Sequence, residues 1–479
     1  MHPVDLSLFI IYVIGLLAFG YYFFRKNKGG DDYYVGSRNM KSYHVGLSVV
    51  ATDVGGGFSI GLGGLGFVMG ISGSWMLFTG LLGAWLAAVF LIPKVKQNRF
   101  FDSALTFPQL FDHYYSTKVA FVAAIISAIG YAGFTSSQML AGAKLASGTF
   151  VGLDNATALY IMGTVAVVYT VLGGLKAVIY TDTIQWTLLM FGLIFVGLPF
   201  AFIEIGGMEG IRQTVAPEML SLTNIAWQDL VYWAVTIIPI WFVGMTLYQR
   251  IYACKDEKTA KRAWYLAGVF EWPVMAFLGV LLGLFARVAA DQGMFLYLGA
   301  EDISDTDPET GLPMLLRTVL PVGFLGVMMA AYFSAILSTA DSCLMASSGN
   351  VVTDIIGKFK KFNPDSTGFV RTSQIVTLII GIFALLLAGM MENVLELMLD
   401  SYSFMVSGLF VPVIGALFWK KSTPAGAMTA MIVGGTTTIF LRYMNVDLPF
   451  DLDPNVFGIS LSAISFVAVS LFTQKKEMI

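Results

Sequence analysis

Charged residues are scarce in this chain: Asp, Glu, Lys and Arg make up 12% of the 479 residues, whereas 57% are hydrophobic. So few charges cannot cover the surface of soluble domains, which excludes a cytosolic enzyme, and the apolar content excludes a disordered chain. The net charge of -3 supplies no basic surface for phosphates, which excludes a nucleic-acid binder. The composition indicates an integral membrane protein.

The chain has only two cysteines. Cys254 and Cys343 lie far apart in the chain, so we expect neither a disulfide framework nor a zinc site. The first apolar stretch, residues 6–24, lacks the basic segment that opens a signal peptide and is followed by a basic segment beginning at Arg25. This pattern favours a retained transmembrane span with its basic flank inside.

Apolar stretches of about 18 residues or more, separated by polar breaks, predict an all-α polytopic membrane protein with thirteen transmembrane spans. The predicted spans are residues 5–24, 43–70, 73–93, 118–148, 155–173, 175–204, 227–247, 260–289, 318–348, 369–390, 394–419, 424–442 and 455–473. No appended soluble domain is evident, so we expect residues 1–479 to form one transmembrane domain.

The basic residues orient these spans, because cytoplasmic loops carry the excess of Lys and Arg. All of the 28 lysines and arginines fall on one predicted side except Arg212, Arg287, Arg317 and Arg442, which lie opposite, and Lys144, which lies inside a span. This pattern predicts a multi-pass protein of the plasma (inner) membrane, with its N-terminus outside and its C-terminus in the cytoplasm.

Polar residues interrupt three spans. Span 2 carries Asp53 followed by the glycines of residues 55–57, which predicts an unwound segment lining a cavity; a structural carboxylate that caps the broken helix is the alternative. Span 9 carries three hydroxyls and an acid in Ser338-Thr339-Ala340-Asp341-Ser342, and span 6 carries Asp182. At 1.5 Å per residue, these groups lie about 10 to 15 Å deep, in one layer.

Span 7 contains Pro239 and Gly244, which predict a second interrupted helix five spans after the first. This spacing is typical of a five-helix inverted repeat with its site where the two breaks meet. The first repeat is predicted at residues 43–204 and the second at 227–419, with an additional helix at 5–24 and two further helices within 424–473. Glu271, near the middle of span 8, has no evident partner.

Three stretches resemble the solute:sodium symporter family: Gly173 to Gln185, the Gln249-Arg250 end of span 7, and Ser338 to Ser342. The resemblance covers nearly the whole chain and implies a leucine-transporter-type core. It also implies Na⁺ as the coupling ion. The principal Na⁺ site, carried over position by position, is formed by Ala51, Val54, Ala335, Ser338 and Thr339.

Some members of the family have a second Na⁺ site. Its counterparts in this chain are Asp182, Ser338, Asp341 and Ser342, which are all polar. The solute site matches less well, since the glutamine of the sugar transporters is not apparent in span 2. We place solute contacts at Asp53, Phe134, Gln138, Trp241 and Met245; core packing or lipid contact is the alternative for each aromatic residue.

These features predict a Na⁺-coupled secondary symporter and not an enzyme. A small zwitterion such as proline is favoured as the solute. A choline-like cation, pantothenate or another carboxylate, and a sugar remain alternatives, as do proton coupling and, in other classes, an ion channel or a transport-fold receptor. The expected partners are the solute, Na⁺ and lipid, with no nucleic acid and no obligatory protein partner.

Overall fold

The computed structural model describes residues 2–24, 34, 38–150, 152–173, 175–300, 303–360, 363, 366–444 and 446–474. The side chains of Phe23, Phe24, Val54, Phe58, Ile184, Asp305 and residues 173–181 are also outside this description, as is the basic segment that begins at Arg25. Within the described residues the protein is helical and has no β-strand, apart from an isolated bridge between Met40 and Cys254.

The helices are numbered in chain order. They are α1 Pro3–Phe24, α2 Ser42–Val54, α3 Gly56–Met69, α4 Trp75–Leu86, α5 Ile92–Lys96, α6 Gln109–Tyr114, α7 Thr117–Thr149, α8 Asn155–Gly173, α9 Leu175–Gly192, α10 Leu198–Glu204, α11 Gly207–Thr214, α12 Trp227–Val243, α13 Met245–Ala253, α14 Glu257–Val269, α15 Ala276–Asp291, α16 Pro308–Val319, α17 Phe324–Gly349, α18 Gly357–Phe359, α19 Thr367–Ala388, α20 Val394–Phe418, α21 Pro424–Tyr443 and α22 Pro454–Thr473. Four π-helical segments join neighbouring pairs: Ala87–Leu91, Leu193–Gly197, Phe270–Met275 and Asn350–Ile356.

An all-α membrane fold is confirmed, and a helix or helix pair lies in each of the thirteen predicted ranges. By length and composition, ten helical segments of the described chain are able to cross a membrane, or eleven when the bent pair α12 and α13 counts as one span. The count is lower because α1 offers only a shorter apolar stretch and predicted spans 2 and 3 share the continuous segment Ser59–Lys96. The number thirteen and the repeat boundaries therefore stay predictions.

Both predicted interruptions are present. Helix α2 ends at Val54 and α3 begins at Gly56, with Gly55 between them at φ 3° and ψ -160°. Helices α12 and α13 meet at Gly244 with a bend of 43°, five residues after Pro239. Proline removes one backbone hydrogen bond and glycine adds no side chain, so the chain bends where the sequence offers both.

Glycines bring α3 close to its neighbours. A Cβ atom at Gly66 would lie 2.1 Å from the carbonyl oxygen of Val280 on α15, and one at Gly283 would lie 2.0 Å from the carbonyl oxygen of Gly63. Backbone therefore meets backbone between α3 and α15, as in other membrane helix pairs that pack through small residues. This contact holds α3, the part of span 2 that follows the break, against α15.

A polar cluster joins α7, α16 and α20. Lys144 on α7 lies 2.7 Å from both Glu309 and Asp307. Glu309 also accepts hydrogen bonds from the backbone N–H groups of Val394 and Leu395, both at 2.9 Å, at the start of α20. The span 4 lysine is thus buried and paired, because the carboxylate satisfies its charge inside the protein.

Helix α1 caps α17. Asp5 is buried, and its Oδ1 accepts the backbone N–H groups of Gly323 at 2.7 Å and Gly326 at 2.8 Å. The first N–H groups of a helix have no partner inside that helix, so a carboxylate there satisfies two of them and also favours the positive end of the helix dipole. The added helix therefore supports the start of α17, which carries the polar residues of span 9.

We expect Asp5→Ala to destabilise the purified protein by about 1 to 2 kcal/mol, because two buried N–H groups lose their acceptor. Thermal unfolding in detergent measures this loss. Asp5→Asn keeps one carbonyl oxygen in place and serves as the control, with a smaller expected loss. Equal stability of wild type and Asp5→Ala would contradict the capping role.

Candidate functional site

The break in span 2 lies directly against α17. The Thr339 hydroxyl donates to the carbonyl oxygen of Ala51 at 2.7 Å and to that of Ala335 at 3.2 Å. A Cβ atom at Gly55 would lie 2.0 Å from the Thr339 hydroxyl oxygen, so only glycine permits this approach. Three of the oxygens assigned to the principal Na⁺ site therefore meet at one point, which is buried.

Ser338 lies beside this point on α17. It is 3% exposed, and its hydroxyl makes no hydrogen bond with any described residue. A buried hydroxyl without a partner costs free energy, so this oxygen is available to a ligand. Val54 ends α2 at the break, and its side chain lies outside the described residues.

Asp182 faces a buried arginine. The Arg250 Nη2 atom lies 3.8 Å from the Asp182 Oδ2 atom, and both side chains are fully buried. The Ser48 hydroxyl bridges the pair, since it donates to Asp182 Oδ2 at 2.6 Å and accepts from Arg250 Nε at 3.2 Å. Arg250 also donates to the Ser342 hydroxyl at 2.8 Å and to the Thr246 carbonyl at 3.2 Å.

The acids predicted to form a second Na⁺ site therefore have different partners. Asp182 and Ser342 both contact Arg250, whose guanidinium supplies a positive charge to the Asp182 carboxylate. Asp341 instead accepts a hydrogen bond from Thr170 on α8, while its Oδ2 atom makes no hydrogen bond with any described residue.

Asp53 lies on the other face of the break. Its Oδ1 accepts a long hydrogen bond of 3.5 Å from the Tyr402 hydroxyl on α20, and its Oδ2 has no partner among the described residues. The ring of Phe134 packs edge-on against Tyr402, with centroids 4.9 Å apart. The structure thus brings Asp53 and Phe134 together through Tyr402.

Glu271 is the neighbour of Asp53 from the second half of the chain. It is fully buried, and the segment that carries it contacts α2, the helix that carries Asp53. Glu271 lies in the π-helical segment between α14 and α15, next to Trp272, whose φ of -138° and ψ of 124° interrupt the helix. A third interrupted helix therefore contributes to this site.

The remaining predicted solute contacts have neighbours of their own. Gln138 lines a small cavity of about 10 Å³ next to Phe333 and Ile336, which is room for about one water molecule. Trp241 packs against Gly83 on α4 and against Trp264, at a centroid distance of 6.4 Å. The Met245 sulfur lies 3.0 Å from the backbone nitrogen of Phe107, and its terminal methyl lies near Gly349.

Sequence reasoning did not assign Arg250, Glu271 or Tyr402 to a site. The positive-inside pattern predicts a cytoplasmic helix end at Arg250, so the sequence gives no signal that this residue is buried. Glu271 carried a signal, because an acid in mid-membrane is costly without a partner. Tyr402 gave none, since a tyrosine in an apolar span is ordinary.

Comparisons with known proteins identify the family of this chain. Residues 33–434 match the model of the Sodium:solute symporter family. The osmoregulated proline transporter of Bacillus subtilis is 27% identical over 97% of this chain and 94% of its own length. The sodium/proline symporter of Escherichia coli is 25% identical over 97% and 92%, and the sodium/glucose cotransporter of Vibrio parahaemolyticus is 27% identical over 98% and 90%.

Solved structures show the same fold. An outward-open, substrate-bound Na⁺-coupled sialic acid symporter matches with a TM-score of 0.81 at 21% identity, over 100% of both chains. A nucleobase-cation-symport-1 family transporter in a closed conformation matches with a TM-score of 0.57 at 12% identity, over 91% of this chain and 93% of that one. The chain is a multi-pass membrane protein and belongs to the sodium:solute symporter family, whose members couple a small solute to Na⁺.

Proposed function

We propose that this protein imports a small zwitterion, such as proline or a related amino acid, together with Na⁺ by alternating access. The contact between Thr339 and Ala51 across Gly55 carries the proposal, because it places the α17 hydroxyls against the break in span 2. A cation that binds there must engage both helices at once. Ion binding then closes the broken helix on the solute.

The principal Na⁺ ligands in this proposal are the carbonyl oxygens of Ala51, Val54 and Ala335 and the hydroxyls of Ser338 and Thr339. Carbonyl and hydroxyl oxygens replace the water shell of a hard monovalent cation. The unpartnered oxygen of Ser338 supports this assignment. Asp182, Asp341 and Ser342 complete the possible second set, although Arg250 already contacts two of these residues.

One ion is sufficient to drive accumulation. Each Na⁺ that enters yields about 2.3 kcal/mol per 100 mV of membrane potential and about 1.4 kcal/mol per tenfold concentration gradient. Their sum supports roughly 500-fold accumulation of the solute. The proposed setting is the plasma membrane with the N-terminus outside, as the distribution of basic residues predicts.

The solute is proposed from Asp53 and its aromatic neighbours. A carboxylate beside the rings of Tyr402 and Phe134 suits a protonated amine, which gains from both the charge and the ring faces. The amides that open α3 suit the solute's carboxylate, as at other broken membrane helices. Gln138, Trp241 and Met245 remain proposed contacts for a conformation in which they face the solute.

A stability screen tests this function. We expect purified protein in Na⁺ to gain thermal stability relative to K⁺ or choline, because a ligand of the native state raises its stability by mass action. One solute from a panel of proline, other amino acids, choline, pantothenate and sugars should add to that gain only when Na⁺ is present. A solute response that is equal in K⁺ would contradict Na⁺ coupling, and a response to sugars alone would contradict the zwitterion assignment.

A further inference from the structure

Tyr12 brings helix α1 into contact with two helices of the candidate ion site. Its hydroxyl accepts a hydrogen bond from Gln185 Nε2 on α9 at 2.9 Å and is also hydrogen-bonded to the hydroxyl of Ser334 on α17. Ser334 is fully buried, whereas Ile11 and Ile14 on α1 are more than half exposed. Helix α1 therefore lies at the outside of the helix bundle, with the Tyr12 hydroxyl turned inward between α9 and α17.

The two partners of Tyr12 each lie one helical turn from a residue assigned to the ions. Ser334 precedes Ser338 by four residues on α17, and Gln185 follows Asp182 by three residues on α9. Residues three or four apart share one face of a helix. Because α9 and α17 also pack directly against each other, the Tyr12 hydroxyl joins the faces that carry the ion groups.

The ion groups beyond this junction have open oxygens. The Ser338 hydroxyl and Asp182 Oδ1 make no hydrogen bond with any described residue. Oxygens on two helices converge on one cation only when the helices keep a fixed spacing, since coordination distances vary by only about 0.2 Å. The Ser334 hydroxyl also bonds to the Ala330 carbonyl oxygen at 2.6 Å, so Tyr12 is attached to a side chain that is itself fixed to the α17 backbone.

A second contact fixes the register of α1 against α17. Asp5 accepts the backbone N–H of Gly326 at 2.8 Å, and a Cβ atom at Gly326 would lie 2.7 Å from the Asp5 backbone. Seven residues separate Asp5 from Tyr12 and eight separate Gly326 from Ser334, so the two helices run parallel in register over about two turns. Tyr12 is therefore held at a set height beside the ion groups.

We propose that Tyr12 is a positioning residue for Na⁺ binding, which fixes α9 relative to α17 and so holds their open oxygens at the spacing that the ion requires. The inference rests on the proposed Na⁺-coupled function. It gives a role in that function to α1, which lies outside residues 33–434 that match the family model. Removal of hydrogen-bonding partners behind metal ligands typically weakens metal binding 10- to 100-fold.

A Na⁺ titration of the thermal stability of the purified full chain tests this role. Tyr12→Phe keeps the ring and removes only the hydroxyl, and should raise the Na⁺ concentration at half-maximal stabilisation by about tenfold. The number of ²²Na⁺ ions bound per chain at saturation should equal that of wild type. Tyr160→Phe is the matched control, because Tyr160 is 55% exposed on α8 and its change should leave the Na⁺ midpoint unchanged.

Variants of the two partners provide independent measurements. Ser334→Ala and Gln185→Met each remove one partner of the Tyr12 hydroxyl, and each should raise the Na⁺ midpoint. The double variant Tyr12→Phe/Ser334→Ala should shift the midpoint by less than the product of the two single shifts, since both changes remove the same contact.

Three results would overturn the positioning role. A Tyr12→Phe protein that loses the same stability in Na⁺ and K⁺ and keeps the wild-type Na⁺ midpoint would show a structural role only. Fewer Na⁺ ions per chain at saturation would show that Tyr12 is itself a ligand. Independent effects in the double variant would show that Tyr12 does not act through Ser334. A wild type without any Na⁺ response would instead overturn the proposed function.

Discussion

Thr339→Val combined with Ser338→Ala should remove the contribution of the α17 site to the stabilisation of this protein by Na⁺. Valine keeps the branched shape of threonine but loses the hydroxyl that contacts Ala51 and Ala335, and alanine removes the unpartnered hydroxyl beside it. In wild type, Na⁺ at 100 times its dissociation constant stabilises the native state by about 2.7 kcal/mol through each site. The variant should lose that contribution from the α17 site, together with Na⁺-driven solute uptake.

Thr339→Ser is the matched control, since it keeps the coordinating oxygen and removes only a methyl group. We expect it to retain most of the Na⁺ response, measured as the difference in unfolding temperature between Na⁺ and K⁺ at equal ionic strength. A wild-type Na⁺ response in the Thr339→Val/Ser338→Ala variant would remove α17 from the ion site.

Arg250→Gln should be the most destabilising single change near the site, by about 3 to 5 kcal/mol, because it leaves the Asp182 carboxylate buried without its counter-charge. The same change removes the donor to Ser342 and the donor to the Thr246 carbonyl. Arg250→Lys should also destabilise the protein, since one ammonium cannot reach Ser48, Ser342 and Thr246 with the fixed geometry of a guanidinium.

The double variant Arg250→Gln/Asp182→Asn separates charge from packing. It replaces the ion pair with two amides of similar shape, so we expect it to recover a large part of the stability that Arg250→Gln loses. Denaturation in mixed micelles measures the free energy of unfolding of wild type, Arg250→Gln, Asp182→Asn and the double variant. Purely additive losses would show that Arg250 and Asp182 are not coupled, and that the arginine stabilises the protein through its other hydrogen bonds.

The fold was largely predictable because hydrophobic length and glycine or proline breaks are local properties. Helices lie in all thirteen predicted ranges, and the interruptions at Gly55 and Gly244 follow from their own residues. The short helix α16 was not predicted, since it is amphipathic and too short to span a membrane. Its Glu309 nevertheless closes the polar cluster with Lys144.

The sequence by itself determined the membrane class, the broken helices and the pairing of Ala51 with Thr339, which the family resemblance located residue by residue. Only the tertiary structure decided which charges meet. Arg250 and Asp182 lie 68 positions apart along the chain, and Lys144 and Glu309 lie still further apart, so no local pattern links them. Their partners are set by helix packing, because a buried charge takes whichever opposite charge or cation the folded neighbours place beside it.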